Sequence, residues 1–454
     1  MSGALIQQSH RAPDPRKGLL KIISGTAAGQ LVVLMSAPLL SRLYTPEQFG
    51  ILATFSAIAV TLGTMATFRY ELAIPLPRED SDARSLALLG LLAAAIIGIL
   101  GLLAVGFFGG KLAFLLRQPG LMPWLWLVPV SSSATACYLV FSQLKIRQGQ
   151  FGAIGRRNFW QQLSVVSVQI GSGLGKMGSG GLVVGLAVGH LLSATILLPR
   201  TGMFPPNQGL NHSRTLWRSL CRRYWRFPLL LGPAGLLNVL ALQMPVLLIA
   251  YWYGGAAAGW FGLTQRVLAL PVALIATAIG QVYLSELALA ARSGTGDAVG
   301  LFLQASRRLA LVAWAALVVL LILGPWLFEV AFGPAWSTSG HYARAMSLAI
   351  AGQVVAAPLS QTLIALERQG LQLVWDAIRV LAVVSAVYLA NLAGASALQA
   401  VWTVSGTLAL TYSASWVMSF QSIRVLQGQN VVAEKKVRLE SGPQGPADDG
   451  RTER

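Results

Sequence analysis

Residues 86–108 read LALLGLLAAAIIGILGLLAVGFF, and no charged or amide side chain stands between Arg84 and Lys111. A helix that crosses the hydrocarbon core of a bilayer needs about 20 mostly apolar residues. This run therefore predicts a transmembrane helix. The rest of the chain is composed the same way. Of 454 residues, 55% are hydrophobic and only 11% are charged, with mean hydropathy +0.62. A soluble protein carries about 25% charged residues. That shortfall argues against a cytosolic enzyme, and the apolar content argues against a disordered chain. The 47 glycines fit membrane helices, where Gly is more frequent than in soluble ones.

Twelve apolar runs are long enough to span. In the first half they are 20–43, 47–74, 86–108, 121–144, 160–174 and 180–199. In the second half they are 227–253, 259–284, 309–332, 345–366, 371–392 and 396–420. The fifth is the weakest, because Gly171, Gly173 and Gly175 interrupt it and Lys176 follows. Lys and Arg test the count. With the N-terminus inside, 28 of the 34 basic residues fall in or beside inner segments. The other six are Arg42, Lys111, Arg117, Lys176, Arg266 and Arg344. This obeys the positive-inside rule, and a missed span would invert the alternation beyond it. The expectation is twelve crossings with both termini cytoplasmic. The formal net charge of +18, which in a soluble chain would suggest nucleic acid, then faces anionic lipid. A secretory signal peptide is the alternative for the first run, but the run is too long and no convincing cleavage site follows it.

The longest internal polar stretch, 200–226, carries Pro205 and Pro206 and divides the spans evenly. The expected organisation is a tail over 1–19, a six-helix lobe over 20–199 and a cytoplasmic linker over 200–226. A second six-helix lobe follows over 227–420, and a polar tail over 421–454. A faint repeat supports twin lobes. Tyr44 leads into a short hairpin and then Phe49-Gly50-Ile51-Leu52, while Tyr253 leads into a Gly/Ala turn and then Trp260-Phe261-Gly262-Leu263. The second helix of each pair ends on an acid, Glu71 or Glu286. With an even number of spans between them, the lobes share one orientation. The ordinary alternative is that aromatics and Gly mark membrane interfaces. In the first hairpin, Thr45 is placed to cap the following helix, Pro46 suits its first position, and Gln48 completes a capping box.

Several motifs resemble chemistry and are better read as packing. Residues 173–178 match GxGxxG, but no strand precedes them and they fall between membrane helices, so they do not form a nucleotide site. Gly181, Gly185 and Gly189 form GxxxGxxxG, a signal of close helix packing. Cys137 and Cys221 form neither a disulfide framework nor a metal pair, and the four histidines are scattered. No catalytic constellation, metal site or cofactor motif is visible, so an enzyme is not expected.

Charges within the spans carry the most information, because each costs at least about 2.5–3.5 kcal/mol at a helix centre and so faces a cavity or a partner. Arg266 lies well inside the eighth run, with Gln265 beside it and Gln281 further along. Arg42 ends the first run, and Arg69 and Glu71 end the second. Asp376 and Arg379 are three apart and share a helix face. Each has a plainer alternative. Arg266 could snorkel to the outer surface, Arg69 and Glu71 could be an interfacial pair, and Asp376 and Arg379 an intrahelical pair at the inner interface. Gln30, Asn238, Gln243, Gln353 and Gln361 either line a cavity or bond a neighbouring helix.

Residues 40–50 (LSRLYTPEQFG), 69–77 (RYELAIPLP), 262–271 (GLTQRVLALP) and 279–282 (IGQV) resemble bacterial polysaccharide flippases. These are the Wzx-like branch of the multidrug/oligosaccharidyl-lipid/polysaccharide exporter superfamily. The resemblance covers about residues 18–425. With twelve spans rather than fourteen, the chain departs from the lipid II flippases. The resemblance implies an all-α membrane protein of two six-helix lobes around a central cavity that opens alternately to each side. It implies a bacterial inner-membrane location and an undecaprenyl-diphosphate-linked oligosaccharide as cargo. That cargo would serve a surface polysaccharide such as O-antigen of lipopolysaccharide, capsule or exopolysaccharide, with membrane lipid and other polysaccharide assembly proteins as partners. The expected diphosphate contacts are Arg266 and Arg69, with Arg42 weaker, because guanidinium forks pair well with phosphate oxygens. Gln265 and Gln281 are expected to bind substrate beside them. Glu71 either holds Arg69 or carries a coupling proton. The runner-up is an ion-coupled drug or metabolite antiporter of the same superfamily. That reading predicts acids deep in the spans, where this chain has basic and amide groups instead.

Overall fold

The computed structural model describes residues 15–199, 210–293, 297–366 and 368–440. Among them every regular element is helical. In the first half these are α1 (Pro15–Leu43), α2 (Pro46–Met65), α3 (Asp80–Leu115), α4 (Leu127–Arg147), α5 (Phe151–Leu174), α6 (Ser179–Leu197) and α7 (Leu210–Arg223). The second half adds α8 (Gly232–Ser293), α9 (Ala298–Phe332), α10 (Ser337–Leu359), α11 (Gln361–Ala365), α12 (Gln369–Leu392) and α13 (Ala397–Glu440). Nine helices among the described residues are long and apolar enough to cross a membrane. One of these spans, Phe227–Ala276, contains the seventh expected run and most of the eighth. Gly254 separates the two runs at φ 89°, a backbone conformation that costs a side-chain-bearing residue strain. Each of the twelve expected runs thus falls on a helix, and the chain is an all-α multi-pass membrane protein.

The local signals act as their chemistry requires. Thr45 caps α2, and the capping box with Gln48 closes in both directions. The glycine stripe of α6 lies against α5. A methyl group on Gly185 would stand 2.6 Å from Gln169 Cγ, and one on Gly189 would collide with the Val165 side chain. The closeness lets the Gln169 side chain donate to the Leu182 carbonyl, and the Gln169 backbone carbonyl takes the Tyr44 hydroxyl. Without a hydrophobic drive between helices in lipid, such close approach is what holds them together.

Three expectations need adjusting. The fifth helix begins at Phe151, nine residues before the expected 160, and runs through Gly171 and Gly173 unbroken. Gly173 is a contact, because a methyl there would press on Leu43 and Tyr44 at 3.0 Å. The second helix ends at Met65, not near Ile74; Phe68 and Arg69 take left-handed conformations, and a short turn follows at Tyr70–Ala73. The polar linker 200–226 contains α7, whose Leu220, with the following Tyr224, packs among Ala73, Ile74, Leu86 and Val140. Apolar positions four apart make that helix amphipathic despite its charge.

By contacts the chain divides into two units. The first comprises Met1–Leu270, Leu320–Met346 and Asp376–Ser405; the second comprises Pro271–Val319, Ser347–Trp375 and Gly406–Arg454. The expected first lobe falls wholly in the first unit. Within that unit the two hairpins of the faint repeat meet. A methyl on Gly50 would collide with the Gly255 carbonyl, and one on Gly259 with the Pro46 carbonyl. Nearby, Trp336 donates to the Ser41 carbonyl, and Ser41 donates to the Phe332 carbonyl. Within the second unit, α9, α10 and α13 pack through Phe302, Trp416 and Tyr412, and Trp375 donates to the Thr411 carbonyl.

Candidate functional site

The site is built where α2 gives way to the following loop. Left-handed backbone at a residue with a side chain costs roughly 1–2 kcal/mol. Phe68 (φ 49°) and Arg69 (φ 61°) both adopt it. The turn brings Arg69 beside Glu71, which is buried at 1% exposure. Arg69 Nη1 stands 3.6 Å from Glu71 Oε1, and Thr67 donates its hydroxyl to the other carboxylate oxygen. The same guanidinium lies over Gly235 on α8, so closely that a side chain there would displace it. Arg69 Nε is buried with no hydrogen-bond partner.

One helical turn along α8 from Gly235 is Asn238. Its side-chain carbonyl takes a hydrogen bond from Arg379 of α12 at 3.0 Å, and Arg379 also pairs with Asp376 at 2.8 Å. Both members of that pair are buried, at 4% exposure each. The expected intrahelical pair therefore exists, and it is buried within the protein. Two guanidinium groups thus meet α8 at positions three residues apart, roughly 4.5 Å along its axis.

Arg266 lies on the other limb of α8. The limb starts just past Gly254 rather than at residue 259, so Arg266 is about 17 Å from the bend at 1.5 Å per residue. Its neighbour Gln265 donates to the Leu242 carbonyl of the opposite limb at 3.4 Å. Leu242 is four residues, about 6 Å, from Asn238. Arg266 is half-buried and makes no ion pair or hydrogen bond among the described residues. Along the first limb of α8, the levels of Arg266, Arg379 and Arg69 thus follow one another.

The remaining candidates stand apart. Arg42 is exposed at the hairpin end, at the other end of α2 from Arg69. Gln281 lies on α8, and its side chain is outside the described residues. Asn238, Asp376 and Arg379 belong to the cluster although the sequence did not assign them a role there; their signal was an amide and an acid–base pair inside apolar runs. Sequence reasoning also missed Arg157, which it counted with an inner loop. Arg157 lies in α5, 6% exposed, with its guanidinium 3.6 Å from the Tyr138 ring centre. It donates to Asn158, which bonds Thr26 of α1, while its Nε and Nη2 have no partner.

Residues 39–341 match the model of a family described as polysaccharide biosynthesis protein. The chain belongs to that family. No curated protein sequence matches it. Among solved structures, the family member resembles the lipid II flippase MurJ in an inward closed conformation, at 12% identity over 93% of each chain with a TM-score of 0.69. It also resembles an inward-facing multidrug resistance MATE transporter of the MOP superfamily, at 13% identity over 90% of this chain and 96% of that one, with a TM-score of 0.60. A MOP superfamily transporter from Pyrococcus furiosus matches at 12% identity over 92% and 97%, with a TM-score of 0.56. The fold is that of MATE and MurJ-like transporters.

Proposed function

We propose that this protein flips an undecaprenyl-diphosphate-linked oligosaccharide from the inner to the outer leaflet of a bacterial cytoplasmic membrane. The cargo head would move through a cavity between two six-helix lobes by alternating access, supplying a surface polysaccharide. The observation that carries this reading is the succession of Arg266, Arg379 and Arg69 along one limb of α8. A polar sugar joined to an anionic diphosphate cannot cross hydrocarbon unaided, and arginine forks at membrane depth offer phosphate oxygens bidentate partners. In this reading Arg266 is the free cation that first engages the diphosphate. Arg69 and Arg379 are held ready by Glu71 and Asp376, and Gln265 contacts the sugar. Glu71 restrains Arg69 or carries a coupling proton.

Reconstitution of the protein in vesicles, with a fluorescent lipid-diphosphate oligosaccharide in one arm and a cationic dye in another, tests the reading. The lipid should move and the dye should not; movement of the dye alone would support the antiporter instead. Arg266→Ala should insert normally yet transport at least about tenfold more slowly, since one charge-assisted hydrogen bond is worth about 1.5–3 kcal/mol. Undiminished transport by that variant would remove Arg266 from the pathway. Likewise, full activity of Glu71→Gln would exclude a proton on Glu71.

A further inference from the structure

Within the second unit a groove of about 640 Å³ runs between α9, α10 and α13. Its floor is small, made by Ala351, Gly352, Val355 and Ala356 of α10, and its walls include Trp314 and Leu317 of α9 and Val417 of α13. The lining contains one cation, Arg307, and no carboxylate. Arg307 is exposed and makes no ion pair or hydrogen bond among the described residues. Beside it, Trp416 donates its indole N–H to the Ser306 hydroxyl at 2.9 Å, which closes off the polar end of the wall.

Two features say what fills the groove. Large apolar side chains near its mouth are turned outward, among them Leu311 (65%), Trp314 (66%) and Leu410 (73%). On a multi-pass protein such a surface faces hydrocarbon, not water. The second feature is length. From Arg307 to Leu317 is ten residues of α9, about 15 Å at 1.5 Å per residue, which is half of the roughly 30 Å core. The groove is one leaflet deep, with its one lining cation at the headgroup end.

We infer that this groove binds one acyl chain of an anionic phospholipid, with the lipid phosphate on Arg307. A zwitterionic lipid gains less there, because no acid is present to receive its ammonium group. A polyprenyl chain is longer than the groove. The lining shares no residue with the arginines along α8, and its occupancy does not depend on which cargo the protein moves.

The test uses the full chain in phosphatidylcholine nanodiscs doped with phosphatidylglycerol that carries a photoactivatable acyl-chain terminus. The matched phosphatidylcholine probe serves as the comparison, and adducts are mapped by peptide mass spectrometry. The anionic probe should label Trp314, Leu317 and Val417 about fivefold more than the neutral probe, the effect of one arginine near an anionic lipid. Arg307→Gln should bring the two probes level. Ala310→Phe, at an exposed position on the groove wall, should remove groove labelling by both probes yet leave labelling at Phe107 and Phe108 of α3 unchanged. Equal labelling of the groove by both probes in the parent protein would overturn the inference. So would a groove yield no greater than at Phe107, or displacement of the anionic probe by a lipid-diphosphate oligosaccharide.

Discussion

Asp376 and Arg379 allow stability and function to be separated. Both are buried and joined at 2.8 Å, with Arg379 also bonded to Asn238. Removing one partner of a buried pair leaves an uncompensated charge, at a cost of about 3–5 kcal/mol. Arg379→Met should therefore destabilise by up to that amount, because the buried carboxylate loses its guanidinium. Asp376→Asn should cost somewhat less, because the Asn238 carbonyl still receives the guanidinium. The double variant has no stranded charge and should lie within about 1 kcal/mol of the parent, since replacing a whole buried pair is often near neutral. The expected coupling exceeds about 3 kcal/mol, above the range where distant sites simply add. Unfolding by sodium dodecyl sulfate in mixed micelles would measure all four proteins. The same four would then be tested for binding of the lipid-diphosphate oligosaccharide. The double variant should fold and bind at least about tenfold more weakly, as expected for one lost charge-assisted contact. If its destabilisation equals the sum of the singles, the two residues do not neutralise one another and the description of the cluster is wrong. If it binds as the parent does, Arg379 is structural only.

Three further outcomes follow from the packing. Gly189→Val should push α6 off Val165 and the Gln161 carbonyl, costing at least about 1–3 kcal/mol, and an unchanged melting temperature would contradict the close α5–α6 contact. Arg147 holds Asp80 at 2.8 Å and the carbonyls of Pro77 and Arg78 at 2.6 and 3.2 Å, so Arg147→Lys should loosen that loop by about 1–2 kcal/mol and raise its cleavage by protease. Asp80→Asn should cost less than about 1 kcal/mol, because that carboxylate is 74% exposed; the reverse order of effects would refute the assignment of the hold to the carbonyls. Arg157→Met should stay within about 1 kcal/mol of the parent, as removing two buried nitrogens without partners offsets the loss of the ring contact and of the hydrogen bond to Asn158. A loss above about 2 kcal/mol in thermal unfolding would show that the guanidinium has a further partner in the membrane.

The hairpin at Thr45 was legible to the atom, because a capping box is a contact between residues three apart. The α6 glycine stripe was legible as a packing face, although not as the partner of α5. Arg157 was misread for a definite reason. Its neighbours Arg156 and Asn158 are polar, so hydropathy starts the fifth span after them, while the helix itself starts at Phe151. The length of α2 was misread similarly. Residues 66–74 are apolar enough to continue a helix, and only the left-handed turn at Phe68 and Arg69 ends it.

Apolar runs and charge placement, being properties of consecutive residues, were enough to give the presence of the helices and the membrane setting, since hydrocarbon leaves the backbone no other way to satisfy its hydrogen bonds. They could not say which intramembrane charges share a neighbourhood. Arg69, Asn238 and Arg379 are more than 140 residues apart at each step, and no spacing rule reaches that far. Their meeting is decided by which helix faces can approach closely, at Gly235 above all, and by the rule that a buried charge must find a partner. Those are conditions on three-dimensional packing, so only the folded chain reveals them.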